Sequence, residues 1–180
     1  MRPRTTELLA HLDDHHAELR RAVDTVPAVL RARRPAADRW SVANVLEHLT
    51  IVETHVVQGL SRQLADARVA GLPQASDATV VDAAQVARYL DRQRRLVSGA
   101  ASQPTGHVGS EEAWAALDAI RASTRTLVIE TDQIGVEAIA LPHPMFGPLD
   151  FYQWIVFLGG HEGRHARQVL EIGRALFETP

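Results

Sequence analysis

The chain has 180 residues, no cysteine and a formal net charge of −3 at pH 7. Without cysteine it can form no disulfide and no zinc–thiolate site, and it supplies no thiol nucleophile of its own. Its arginines are scattered through a mildly acidic chain, so there is no basic tract of the kind that binds nucleic acid.

The first two predicted elements are amphipathic helices. Apolar residues at helical spacing predict a first helix from about residue 5 to just before Pro35, with a kink at Pro27. Ser41 is a good N-cap for a second helix that runs to about Ala70, where Gly71 ends it. The core-facing positions of both helices are mostly leucine and valine.

The second half of the chain contains one short and two long predicted helices. Residues 81–97 read as a short, arginine-rich connecting helix, and residues 103–109 read as a loop before Ser110, the expected cap of the next helix. Residues 134–140 are ambiguous between a loop and a short strand. A proline-rich loop then leads to Pro148, which we expect near the first position of the final helix.

These elements predict an all-α fold. Four long helices and an additional short connecting helix are typical of a four-helix bundle, here as one domain over residues 1–180. No apolar run approaches the roughly 18 residues of a membrane span, and the first residues lack the apolar stretch of a secretion signal. We therefore expect a cytoplasmic protein with no membrane partner.

Two histidines interrupt the core-facing stripe of the final helix. His161 and His165 are four residues apart, so they share a face, and their rings can bind one ion at roughly 2.1 Å. His48 lies on the inward side of the second helix, between Val45 and Val52, and is the best third ligand. Bundle cores commonly hold metal ions between facing helices, and three protein ligands leave a position open for water or substrate.

The string from His161 to His165 also matches the H-E-x-x-H pattern of zinc proteases, in which Glu162 would be the general base. The longer protease pattern requires glycine and histidine where this chain has Gln168 and Glu171, and the downstream glutamates lie on or just past the same helix. A protease is therefore disfavoured. Glu162 stays a candidate for orienting a ligand or moving a proton, although an exposed or salt-bridged role is more common for such a residue.

The other histidines have more ordinary interpretations. His55 lies two turns after His48 on a similar face and is an alternative ligand or a partner to one, although simple packing is more common. His15 and His16 are adjacent, so at most one is expected to face the core, and a solvated or capping role is the default. Three further histidines read as surface or loop residues: His11, His107 and His143.

Several motifs, in their order and spacing, resemble the DinB-like superfamily of metal-dependent enzymes. They are Trp40-Ser41 at the start of a helix, Glu47-His48-Leu49, the loop from His143 to Leu149, and His161 followed by Arg164-His165 and Gln168. The resemblance runs from about Trp40 to the end of the chain. It implies a four-helix bundle, often dimeric, that holds a divalent metal through His48, His161 and His165. Asn44 stands where many members carry a glutamate, so no role is assigned to it.

The resemblance also implies relatives that are S-transferases or isomerases dependent on low-molecular-weight thiols such as bacillithiol or mycothiol. An external thiol fits a chain without cysteine, because a metal ion stabilises a thiolate near neutral pH; water activated in the same way would give hydrolysis. We expect a metal-dependent transferase or hydrolase with zinc or nickel, a small-molecule substrate and a possible homodimer. Two alternatives stay open: a non-catalytic metal-binding or stress-related bundle, and an interaction module whose histidines bind nothing.

Overall fold

Helices make up most of the described chain, which covers residues 1–76, 78–91 and 99–178 of this computed structural model. The α-helices are α1 (Pro3–Asp24), α2 (Val42–Ala70), α3 (Ala83–Leu90), α4 (Ser110–Glu130) and α5 (Phe151–Glu178). Two short 3₁₀ turns cover Ala28–Leu30 and Ala100–Ser102, and two strands form β1 (Ala140–His143) and β2 (Gly147–Asp150). The predicted all-α bundle with a short connecting helix is confirmed.

The four long helices pack in pairs around an apolar core. Helix α1 lies along α5 and α2 lies along α4, while α2 and the short α3 also contact α5. Fully buried side chains fill the bundle from end to end, among them Leu12, Leu60, Ile155, Leu46 and Leu117. Burying each such side chain contributes about 1.5–3 kcal/mol, so this packing fixes the relative positions of the helices.

Helix α2 begins where the sequence predicts. The Ser41 hydroxyl accepts a hydrogen bond from the Asn44 backbone N–H at 3.2 Å, and the Asn44 side chain accepts one from the Ser41 N–H at 3.2 Å. This reciprocal capping box satisfies two N–H groups that the first helical turn leaves without partners. The helix ends at Gly71, whose φ of +89° is a backbone conformation that favours glycine.

The first helix is shorter than its sequence pattern indicates. It ends at Asp24, and Pro27 precedes a separate 3₁₀ turn, so the prediction of one kinked helix reaching Pro35 was wrong. Proline lacks the N–H that would continue the helix and disfavours helical geometry in the residue before it. The predicted cap of α4 was wrong by one residue, since Gly109 is the N-cap and Ser110 is the first helical residue.

A β-hairpin precedes α5 where the sequence suggested a loop. Strand β1 pairs antiparallel with β2, with Leu141 opposite Leu149, and Pro148 lies within β2, so its predicted place at the start of the helix was wrong. Helix α5 begins at Phe151, after Asp150 and Gln153 exchange hydrogen bonds of 2.8 and 3.0 Å in a capping arrangement. The spacing of Asp150 and Gln153, three residues apart, is a helix-start pattern that the sequence contains.

The segment 134–140, which the sequence left ambiguous, forms a single bridge between Gln74 and Ile134, and strand β1 starts at Ala140. The predicted connecting helix is present as α3, although part of the range 81–97 lies outside the described residues. None of the described helices combines the length and the apolar character that crossing a membrane requires.

The hairpin contacts two of the long helices. The indole Nε1 of Trp154, in the first turn of α5, donates to the Leu141 carbonyl at 3.1 Å. The Leu141 side chain lies against Gly59 of α2, where an added Cβ would be 2.7 Å from Leu141 Cδ1. The hairpin therefore packs between α2 and α5 and contacts both.

Candidate metal site

The structure brings together the three histidines that the sequence singles out. His48 comes from α2, and His161 and His165 come from successive turns of α5. The Nε2 atom of His161 lies 3.4 Å from Nε2 of His48 and 3.1 Å from Nε2 of His165. One ring nitrogen from each residue can be chosen so that all lie within 4.8 Å of one another. The role of these residues as ligands stays a prediction.

These distances fit nitrogens that share one ion, and they also fit N–H···N hydrogen bonds between the rings. Two nitrogens, each about 2.1 Å from the same ion, are about 3.0 Å apart at a right angle and about 3.4 Å apart at the tetrahedral angle. Both Nε2 separations fall in this range. Imidazole nitrogens also suit the divalent transition metals, so the donor set and its spacing fit such an ion.

The His48 ring is oriented by a backbone carbonyl. Its Nδ1–H donates to the carbonyl oxygen of Ser102 at 2.7 Å, so the neutral ring carries its lone pair on Nε2, the atom that faces His161. The Trp40 ring packs against it with a centroid distance of 4.9 Å. Burial lowers the pKa of His48, with the bond to Ser102 opposing the shift, and the neutral form is the one that ligates metals.

His161 is held neutral still more strongly. Its pKa lies well below the usual value, first because burial penalises the charged ring and then because His165 and His48 are close enough to repel a second positive charge. His48 and His165 are 5 % and 7 % exposed, whereas His161 keeps partial access to solvent. The lowered pKa values of His48 and His161 favour the neutral rings, and the most accessible ring of the trio, that of His161, lies in the middle.

Aromatic side chains flank the histidines on two sides. Phe157 stacks on His161 at a centroid distance of 5.1 Å and an interplanar angle of 17°, and the His143 ring lies 4.7 Å from Phe157. Trp40 stacks on His165 at 6.4 Å and 16°. These apolar faces limit the approach of water to the rings and hold the rings in fixed orientations.

Helix α1 packs closely against α5 at Gly159 and Gly163. A Cβ at Gly159 would lie 2.5 Å from the His11 ring, and one at Gly163 would lie 2.5 Å from Nδ1 of His15. Glycine at both positions lets α1 pack tightly on α5. The helix that carries His161 is thereby fixed in rotation.

Glu162 lies in a different part of the bundle core. It is 1 % exposed, and its carboxylate lies 3.0 Å from Nη2 of Arg121 and accepts from Nδ1 of His16 at 3.1 Å. Arg121 also pairs with Glu53 at 2.9 Å, and the other nitrogen of His16 donates to Asp118 at 2.8 Å. Glu162 therefore has the salt-bridged role named as the more common one, and its contacts do not place it as a protease base.

Opposite pKa shifts separate this cluster from the three histidines. Burial alone would lower the pKa of His16, but its bond to Glu162, the charge of Glu162 and its bond to Asp118 raise it. Since both ring nitrogens donate to carboxylates, the ring is the charged form. Burial raises the pKa of Glu53, with the Arg121 charge opposing that shift.

Several other histidines differ from their predicted settings. His55 is exposed, which does not support a role as ligand or ligand partner, whereas His107 is exposed as expected. His15 and His16 are both half-buried, so the expectation that only one faces inward was wrong. Two residues expected at the surface are also partly or fully buried: His11, which donates to the Val156 carbonyl at 2.9 Å, and His143, which is 8 % exposed.

Sequence reasoning missed the carbonyl that orients His48 and the hairpin that carries His143. Any residue type can supply a backbone carbonyl, so the identity of Ser102 gave no indication that its carbonyl accepts from His48. The Nδ1 of His143 accepts from the N–H groups of Met145 and Phe146 at 3.1 and 3.2 Å. This histidine therefore caps the hairpin turn.

Comparison with known proteins supports membership of the family that the sequence motifs resemble. The family model described as the DinB superfamily matches residues 11–169. The chain is similar to "Uncharacterized protein YuaE" of Bacillus subtilis (strain 168), with 27 % identity over 141 residues that cover 78 % of this chain and 81 % of that protein. No solved structure matches the chain.

Proposed function

This chain belongs to the DinB superfamily, and we propose that it is a metal-dependent enzyme in which His48, His161 and His165 hold one divalent ion. The observation that carries the proposal is the convergence of three ring nitrogens within 4.8 Å of one another. A cation placed among the three rings would interact favourably with all three nitrogen lone pairs at once. The low pKa of His161 favours the neutral ligating form.

We propose zinc or nickel as the metal. The three donors are imidazoles with no carboxylate among them, which suits late transition metals and disfavours the harder magnesium and calcium ions. Three protein ligands also leave a coordination position for a small molecule. The partial exposure of His161 supports access to that position from solvent.

The proposed reaction is transfer of a low-molecular-weight thiol to a small electrophile, with hydrolysis as the second possibility. A divalent ion, when bound, supplies the positive charge that favours loss of a proton from a thiol or from water near neutral pH. The thiol must come from a cosubstrate, because the chain has no cysteine. Phe157 and Trp40 would keep the site dry, which strengthens electrostatic interactions with a reacting anion.

Metal content tests the first step of this proposal. Untagged protein purified without nickel resin should contain about one equivalent of a transition metal, lost in His48→Ala and in His161→Ala. His55→Ala is the matched control, because His55 is an exposed histidine on the same helix as His48 and should leave the metal in place. Absence of metal in the parent, even after reloading with zinc or nickel, would overturn the proposal.

Turnover tests the second step. Metal-loaded protein is assayed with a panel of low-molecular-weight thiols and electrophiles, and separately with ester and amide substrates. Thiol-dependent product formation that disappears in His48→Ala supports the transferase, whereas thiol-independent product supports the hydrolase. Stoichiometric metal without turnover would leave a non-catalytic metal-binding protein as the better account.

Two further proposals rest on resemblance to the superfamily and on composition. We propose that the protein is a homodimer and that it acts in the cytoplasm, where low-molecular-weight thiols are kept reduced. Light scattering of the purified protein measures its mass directly, and a value near the 19.8 kDa of one chain would contradict the dimer.

A further inference from the structure

We propose that Glu47 is a positioning residue for the histidine trio: it anchors the loop whose carbonyl orients His48. The inference concerns residues that ligate nothing themselves, and its consequence for metal affinity rests on the proposed function. Its consequence for the His48 ring does not depend on any metal. The two consequences are therefore tested separately.

The Glu47 carboxylate is fully engaged by one short stretch of backbone. It is 6 % exposed, and Oε1 accepts from the Thr105 N–H at 2.9 Å and from the Thr105 hydroxyl at 2.6 Å. Oε2 accepts from the Gly106 N–H at 3.1 Å. Three donors to one carboxylate form a charge-assisted clamp, and they lower the pKa of Glu47 even though burial alone would raise it.

The clamped stretch is continuous with the carbonyl that holds His48. Ser102 ends the 3₁₀ turn only three residues before Thr105, and its carbonyl accepts from Nδ1 of His48 at 2.7 Å. Glu47 and His48 are adjacent on α2, so their side chains leave the helix about 100° apart and reach two points of the same loop. One turn of α2 therefore holds residues 102–106 at both ends.

This arrangement gives Glu47 an effect on the ring of its neighbour. Nδ1–H of His48 is fixed by an acceptor on a loop, and a loop carbonyl stays in place only if the loop does. When Glu47 is removed, His48 stays on a helix packed into the core, but its acceptor is released. The proton can then move to Nε2, which removes the lone pair from the nitrogen that faces His161.

The first experiment reads the His48 tautomer in metal-free protein by ¹⁵N NMR of the imidazole nitrogens. We expect the Nδ1–H tautomer in the parent and a shift toward Nε2–H in Glu47→Ala, with a smaller shift in Glu47→Gln, whose NH₂ group cannot accept. The control is Thr131→Val, which removes the buried hydroxyl bonded to the carbonyls of Leu127 and Val128 at the far end of α4. It lowers stability without touching the loop and should leave His48 unchanged.

The second experiment measures zinc affinity by competition with a chromogenic chelator. We expect Glu47→Ala to bind zinc about 10–100-fold more weakly than the parent, the range found when groups that orient metal-ligating histidines are removed. Thr131→Val should bind as the parent does. A merely structural role for Glu47 would lower the melting temperature in both variants and leave zinc affinity unchanged.

Gly106→Ala perturbs the same loop from its other side. Gly106 has φ of +79°, a backbone conformation that alanine rarely adopts, so the substitution strains the loop. It should move the His48 tautomer and the zinc affinity in the same direction as Glu47→Ala. If Glu47→Ala does not fold, Glu47→Gln and Gly106→Ala decide the question.

The outcomes separate this inference from the proposed function. Folded Glu47 and Gly106 variants with the parental tautomer and parental zinc affinity overturn the positioning role. A tautomer shift in a protein whose parent binds no zinc sustains the positioning role and overturns the metal site. A shift in both measurements sustains both.

Discussion

Two polar clusters interrupt the bundle core, and they differ in how their charges are balanced. The cluster around Arg121 holds two buried carboxylates, from Glu53 and Glu162, beside a guanidinium and the charged ring of His16. Positive and negative groups are matched within the chain itself. This cluster joins α1, α2, α4 and α5 through ion pairs, although Nε and Nη1 of Arg121 are buried without a hydrogen bond to any described residue.

The histidine trio has no such internal balance. The pKa values of His48 and His161 are lowered, and the ring nitrogens that lie within 4.8 Å of one another belong to histidines alone. The clusters therefore differ in charge: carboxylates and cations pair in the first, whereas the second offers imidazole nitrogens, which we propose hold a cation. The test of this comparison with the largest expected effect is to remove the Arg121 cation from the first cluster.

Arg121→Met leaves the buried carboxylate of Glu53 without its cation and leaves Glu162 with the His16 ring as its remaining cationic partner. We expect the free energy of unfolding of metal-free protein to fall by about 3–5 kcal/mol, because each carboxylate must stay charged in the core or take up a proton. Urea unfolding measures the change. The control is Arg125→Met, which breaks an ion pair to Asp13 whose side chains are 36 % and 54 % exposed and should cost less than about 1 kcal/mol. Equal effects in the two variants would contradict the distinction.

Zinc should raise the free energy of unfolding by binding to the trio, and the charged cluster around Arg121 should have no part in this gain. At a free zinc concentration 100 times Kd, binding adds about 2.7 kcal/mol to the free energy of unfolding of the parent. His161→Ala should lose this increment because it removes the central ligand, whereas Arg125→Met should keep it. Thermal unfolding with and without zinc, at fixed protein concentration, measures the increment. A zinc-dependent gain of the same size in His161→Ala would mean that the ion binds elsewhere.

Acid should destabilise the hairpin region beside the trio. Burial lowers the pKa of His143 to about 4 from 6.5, so the unfolded chain binds the proton more readily than the folded one. The stability contributed by the neutral ring is present above pH 6.5 and is lost as the pH falls toward 4, by on the order of 2 kcal/mol. His143→Asn keeps an acceptor for the turn N–H groups and does not titrate. The urea midpoint should therefore fall more between pH 7 and pH 4.5 in the parent than in this variant. An equal fall in both proteins would argue against a contribution from His143.

The balanced cluster should respond to pH with the opposite sign. The pKa of His16 is raised in the folded protein, so its contribution to stability is fully present below pH 6.5 and is lost as the pH rises through the folded pKa. The effect should be less than about 1 kcal/mol, because the ring is partly exposed to solvent. The stability difference between the parent and His16→Gln is expected to be larger at pH 5.5 than at pH 8.5. A difference that grows with pH would reverse the assignment of charge.

Local patterns predicted the helices and the convergence of the trio. His161 and His165 share a face whatever the tertiary structure, and His48 lies on the apolar stripe of α2, so a bundle brings them together. The direction of Glu162 could not be predicted in this way. One residue after a ligand, it lies about 100° around the helix, and only the packing of α1 and α4 decides that Arg121 and His16 meet it there.

The hairpin shows a second limit of local patterns. Strands of four residues rich in proline give no alternating signal, and the pairing of Leu141 with Leu149 is a contact between separate segments. The buried state of His143 follows from that pairing and from its packing against Phe157. Neither could be derived from the residues around it in the sequence.

The hairpin also bears on the distance between α2 and α5. Leu141 fits against Gly59 of α2 with its side chain and receives the Trp154 indole of α5 with its carbonyl, so it acts as a spacer between the helices that carry the trio. A bulkier residue at position 59 would push that spacer away and widen the gap between α2 and α5. The separation of the two helices that carry the trio therefore depends partly on a leucine–glycine contact that includes none of the three histidines.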